Sequence, residues 1–130
     1  MGDNVYKPWR ANEYPRLTRD VFGIHWNPGS GLRIVLTAQN DNRLPDLQID
    51  FAHPHAFQGI DEAYRLADIP MGTALIYRSD RSLYLTRFEE NAAGTMDSSP
   101  LIHWMIVSCN QCLDVISESD PSIAVLAGCD

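Results

Sequence analysis

LIHWMIVSCNQCLDVIS, residues 101–117, is the most hydrophobic stretch of the chain, and its reading decides the fold. Ile102, Trp104 and Ile106 alternate with Leu101, His103, Met105 and Val107. A repeat of two is that of a strand, whose side chains point in turn to opposite faces. Both sets are apolar apart from His103, which suits a central strand covered on two sides. Asn110-Gln111 suits a turn, and residues 113–117 read as the returning strand. With a two-residue loop, Cys109 faces Cys112, Ile106 faces Val115 and Trp104 faces Ser117.

The flanking sequence repeats the alternation. Residues 32–38 and 47–52 predict an antiparallel ribbon joined by the polar stretch 39–45. Residues 56–60 continue as strand, and 61–67 read as a short helix with Asp61 and Glu62 at its positive end. Residues 73–78 and 82–88 predict two more strands around a Ser79-Asp80-Arg81 turn. A loop over 89–100, a turn at Asp120-Pro121 and a last strand over 123–126 complete the order. Residues 1–31 read as an irregular arm, punctuated by Pro8, Pro15 and Pro28, with one short helix or strand over 17–24. Trp9, Tyr14, Phe22 and Trp26 make that arm too apolar for a disordered tail, so it is expected to lie on the domain. The expected fold is one mostly β domain over 1–130, its core over 32–130. An antiparallel β-sandwich or curved sheet with at most one or two short helices follows, and an α+β arrangement with a helix on the sheet is its rival.

Charge narrows the function. Residues 88–130 hold seven acids and no Lys or Arg, which concentrates the net charge of −7 in the C-terminal third. Acidity aids solubility, and it also steers a basic partner. Nucleic acid is disfavoured as a ligand, because phosphate binding needs clustered bases and Lys7 is the only lysine. Three cysteines leave one thiol over from any pairing, so no disulfide framework is expected. No apolar run follows a basic start and none is long enough to span a bilayer, so a cytoplasmic protein with no membrane contact is expected. A monomer or homodimer is expected, with no cofactor.

Two constellations bear on chemistry. Cys109 and Cys112 have C-x-x-C spacing, but they flank a predicted hairpin turn and lack the helix N-terminus that lowers a thiol pKa. They read as buried structural thiols. His53 and His55 stand at i and i+2, the spacing that puts two imidazoles on one side of a strand, with Glu62 seven residues on. With Pro70-Met71-Gly72 these residues resemble the two motifs of the cupins, which implies a metal-dependent enzyme or small-ligand binder using His53, His55 and Glu62. Position 75, where the second cupin motif has a histidine, is Leu75. Two histidines at a strand end are the simpler reading, with no metal bound. Asp50, Asp61 and Glu62 read as solvated acids, and His103 as a hydrogen-bonded core histidine.

A second likeness covers about the last 70 residues. Asp61-Glu62, Ser82-Leu83-Tyr84-Leu85, Ile102-His103-Trp104, the run Cys112 to Ser117 and Asp120-Pro121 resemble small acidic bacterial proteins of the toxin-immunity type. The resemblance implies a non-enzymatic inhibitor whose partner is a basic protein, a toxin domain. Such proteins act through a whole surface, so charge and position point to the contact residues. They are Glu89, Glu90, Asp97, Glu118 and Asp120, with Tyr84.

Overall fold

A computed structural model describes residues 5–10, 19–27, 29–38, 45–61, 74–92, 101–108 and 111–126. Among them are nine strands and one helix. The strands are β1 (Val5–Pro8), β2 (Arg19–Asn27), β3 (Gly31–Ala38), β4 (Leu47–Phe51), β5 (Ala56–Asp61), β6 (Ile76–Arg81), β7 (Ile102–Val107), β8 (Gln111–Ser117) and β9 (Ser122–Val125). The helix, α1, spans Leu83–Ala92 between β6 and β7. Five strands form one sheet in the order β1-β6-β7-β8-β5, and four form a second in the order β2-β3-β4-β9. Every pairing is antiparallel.

The sheets pack face to face because each turns one alternate set of side chains inward. Leu32, Ile34 and Leu36 of β3 and Leu47, Ile49 and Phe51 of β4 meet Ile102, Trp104 and Ile106 of β7 and Leu113 and Val115 of β8. The other face of the first sheet is buried as well. Tyr77, Met105, Val107 and Cys112 form one cluster there, and Ile116 packs with Leu85, Tyr84 and Phe88 of α1 in another. The result is a β-sandwich with a helix on its outer side, and β7 is its central strand, covered on both faces as expected.

Five expectations need correction. The register of the 101–117 hairpin slips by two residues. Ile106 faces Leu113, Trp104 faces Val115 and Ile102 faces Ser117. Ser108 decides this. Its hydroxyl donates to the Gln111 carbonyl at 2.9 Å and accepts the Gln111 N–H at 3.0 Å. Ser108 and Gln111 therefore close the ladder around Cys109-Asn110, and the buried thiol of Cys112, in no disulfide, faces Val107. A slip of two keeps every side chain on its face, so the apolar pattern is the same either way.

Secondly, the arm is more regular than expected: the short element over 17–24 is a strand that runs on to Asn27 as β2, and β1 is a second strand within residues 1–31. β2 and β3 form a hairpin over the predicted turn at 27–30. Asn27 accepts the Gly29 N–H on its side chain at 2.8 Å and the Ser30 N–H on its carbonyl at 3.1 Å. Gly31 follows at φ 95, and a Cβ there would stand 2.2 Å from the Phe51 carbonyl oxygen, so only glycine fits.

Thirdly, residues 82–88 are not a strand. Ser82 caps α1, its hydroxyl accepting the Leu85 N–H at 3.1 Å and its carbonyl the Thr86 N–H at 3.0 Å. Tyr84, Leu85 and Phe88 then share a helical stripe facing the sheet, while Leu83 is exposed. Lastly, β6 runs through the expected Ser79-Asp80-Arg81 turn, and Asp61 belongs to β5. The rest of the helix expected over 61–67, and most of the 39–45 loop, lie outside the described residues.

Candidate functional site

His103 points from β7 toward α1 and is wholly buried, so both ring nitrogens need partners. Ser82, at the junction of β6 and α1, lies 2.7 Å from Nδ1. Asp114 of β8 lies 2.6 Å from Nε2 through Oδ1. Gln58 of β5 donates to the other carboxylate oxygen of Asp114 at 2.9 Å. Asp114 as a carboxylate can only accept, so Nε2 carries the proton toward it; in the neutral ring Nδ1 is then the acceptor and the Ser82 hydroxyl donates to it. The ring stands between two tyrosines, Tyr6 with centroids 5.5 Å apart and Tyr84 at 5.0 Å.

The residue types are those of a nucleophilic triad, but the arrangement is that of a lock. A triad serine bonds Nε2 and presents its oxygen to a substrate. Here the serine bonds Nδ1 and its oxygen caps a helix. Ser82 is 3% exposed, and His103 and Asp114 are 0% exposed. The chain of bonds ties β5, β7 and β8 to the start of α1.

The predicted contact residues divide. Glu89 and Glu90 are exposed in the last turn of α1, and Glu118 and Asp120 are exposed in the bend after β8. His55 joins these segments. Its backbone N–H donates to the Ile116 carbonyl at 2.7 Å, its ring centroid lies 6.4 Å from that of Phe88, and its Nε2 lies 3.2 Å from Glu118 Oε1. Tyr84 is only half-buried, but its ring packs on His103 and into the cluster beneath α1. Asp97 lies outside the described residues.

Of the residues of the metal alternative, His55 lies against Glu118 and Phe88, His53 is exposed, and Glu62 lies outside the described residues. Among the described residues, no three His, Cys, Asp or Glu side chains cluster as a metal site would need. No helix among them is long and apolar enough to cross a membrane.

The second sheet carries an open groove of about 960 Å³, lined by Ile24, His25, Trp26, Arg33, Gln48 and Asp50 among others. Arg33 and Asp50 face each other across β3 and β4 with Nε 2.9 Å from Oδ1, and Gln48 donates to the other oxygen at 2.9 Å. These charges satisfy one another. Comparison with protein-family models, curated proteins and solved structures returns no match.

The sequence reading names neither Ser82 nor Asp114 as a partner of His103, nor Gln58 as the partner of Asp114. The signal for Ser82 was its place before Leu83-Tyr84-Leu85, a cap position if the segment is read as helix.

Proposed function

We propose that this chain is a non-enzymatic binding protein of the immunity type, which neutralises a toxin domain through an acidic surface. The placement of the exposed acids carries the reading. Glu89 and Glu90 on α1 and Glu118 and Asp120 after β8 belong to two segments that His55 joins. No Lys or Arg occurs from Phe88 to the last residue, so nothing positive in that part of the sequence offsets them. A basic cleft approaching this end meets four exposed carboxylates against one neighbouring base, Arg87, and that excess raises the rate of encounter. The reactive side chain types point the same way, since Ser82, His103 and Asp114 are engaged inside the fold.

The test is capture followed by kinetics. The immobilised chain is used to isolate its partner, and association is measured at low and at physiological ionic strength. A basic partner whose on-rate falls steeply with salt is expected, because screening shortens the field to about 8 Å at 0.15 M. Salt-independent association, or a partner with no basic face, overturns the reading.

A further inference from the structure

Among the described residues the two sheets have four edges, β1 and β5 in one and β2 and β9 in the other. Open edges invite pairing with another chain, and proteins blunt them with short strands, Lys, Pro or inward charges. β1 is four residues long and contains Lys7 and Pro8, and β9 is four residues long. β5 is six residues and contains Gly59 and Asp61. β2 is nine residues long, and its end, Ile24-His25-Trp26-Asn27, holds neither Lys nor Pro. All four of these residues are exposed, Ile24 at 36% and Trp26 at 47%.

The backbone there is oriented for pairing. The Asn27 carbonyl accepts the Ser30 N–H at 3.1 Å, so Asn27 turns its backbone groups toward β3. Alternation turns those of His25 the same way and leaves those of Ile24 and Trp26 on the open edge. The two residues with exposed apolar side chains are thus the two whose N–H and C=O point outward.

We propose that a second copy of this chain docks along β2, antiparallel about a two-fold axis at His25. The segment is self-complementary in that register. Ile24 lies opposite the partner's Trp26 and Trp26 opposite the partner's Ile24, on one face and as closely bonded pairs. His25 lies opposite its own copy on the other face. Other registers fail. A shift by one residue sets apolar side chains against the polar face. An axis at Ile24 reaches back into the register shift between Val21 and Gly23, and an axis at Trp26 runs into Pro28, which has no N–H.

Charge permits the contact. Arg33, beside His25, is paired with Asp50. The exposed acids of α1 lie across the first sheet, on the face turned away from the second. Pairing joins two four-stranded sheets into one continuous sheet and leaves the acidic surface open on each copy.

Sedimentation velocity from low to high micromolar concentration tests this. The expected result is a monomer–dimer equilibrium. Trp26→Lys shifts it to monomer, and so does Ile24→Pro, which removes an outward N–H and leaves the β2–β3 ladder intact. Val125→Lys, at the opposite edge of the same sheet, leaves the dimer unchanged. Circular dichroism keeps the wild-type spectrum in each variant. In a Cys109→Ser, Cys129→Ser background, oxidised His25→Cys gives a covalent dimer, because facing Cβ atoms stand about 4.5–5.5 Å apart. Ile24→Cys does not. A monomer at every concentration, a dimer that survives both Trp26→Lys and Ile24→Pro, or cross-linking through Ile24→Cys and not His25→Cys overturns the proposal.

Discussion

Replacing Asp114 by alanine measures how firmly the buried lock holds α1. Both carboxylate oxygens are engaged, one by His103 at 2.6 Å and one by Gln58 at 2.9 Å. The residue is 0% exposed, so water does not replace what is removed. Each stranded donor costs about 1–3 kcal/mol. Two donors are stranded, His103 Nε2–H and the Gln58 amide, which sets the range at about 2–6 kcal/mol. A loss of about 2–6 kcal/mol is therefore expected, against a total stability of about 5–15 kcal/mol for a domain. Asp114→Asn keeps an oxygen for Nε2–H, and Gln58 restores its own bond by turning its amide over. That variant should lose only about 1–2 kcal/mol. Urea unfolding followed by tryptophan fluorescence reads both, with buried Trp104 as reporter. The midpoints should fall in the order wild type, Asn, Ala at constant slope. An alanine variant within about 1 kcal/mol of wild type refutes the lock. An asparagine variant as weak as alanine refutes the assignment of the bonds.

Trp104→Ala should cost about 3–5 kcal/mol by calorimetry, since it empties the centre of the sandwich between Phe51 and Trp9. Gly31→Ala should cost at least about 1–3 kcal/mol, because alanine is strained at φ 95 and its Cβ meets the Phe51 carbonyl. Here a wild-type melting temperature would contradict the backbone geometry. His53→Ala and His55→Ala should shift stability by less than about 1 kcal/mol, as the His55–Glu118 pair is solvent-exposed on both sides. Elemental analysis of protein purified without chelator should find no stoichiometric metal, and one bound ion lost in either variant would revive the cupin-like reading. Reversing Glu89 and Glu90 to Lys should slow association with the captured partner and flatten its salt dependence. The melting temperature should hold or rise slightly, because the last turn of α1 has no base and the helix end is negative.

Alternation made the sandwich legible. β3 and β4 turn Leu32, Ile34, Leu36, Leu47, Ile49 and Phe51 inward, as the sequence predicts. The same rule misled over 82–88, where Leu83 and Leu85 alternate with Tyr84 and Thr86 as neatly as in a strand. A short apolar segment carries both periods at once, and the burial of Tyr84, Leu85 and Phe88 under a capped helix decides between them. Prolines hid the arm's strands. Pro8 ends an edge strand, where its missing N–H is tolerated, so it did not exclude one.

Those misreadings also hid the lock. In the expected register Asp114 faces Val107, far along the ladder from His103. In the observed one His103 faces Ile116 and Met105 faces Asp114, so histidine and acid are diagonal neighbours on one face. Ser82 enters only once 83–92 is a helix that needs a cap. A buried site depends on register and element type together. The exposed acids depended on neither, and composition alone found them. Their position adds an argument that composition lacked. Local stability favours bases in the last turn of a helix and acids in the first. α1 has no acid in its first turn, no base in its last, and Glu89 and Glu90 where bases would serve better. Solubility alone would be met equally well by acids at the other end of the helix. Acids at the end where they weaken the helix, in a segment that His55 links to Glu118, are therefore the feature that supports the proposed basic partner.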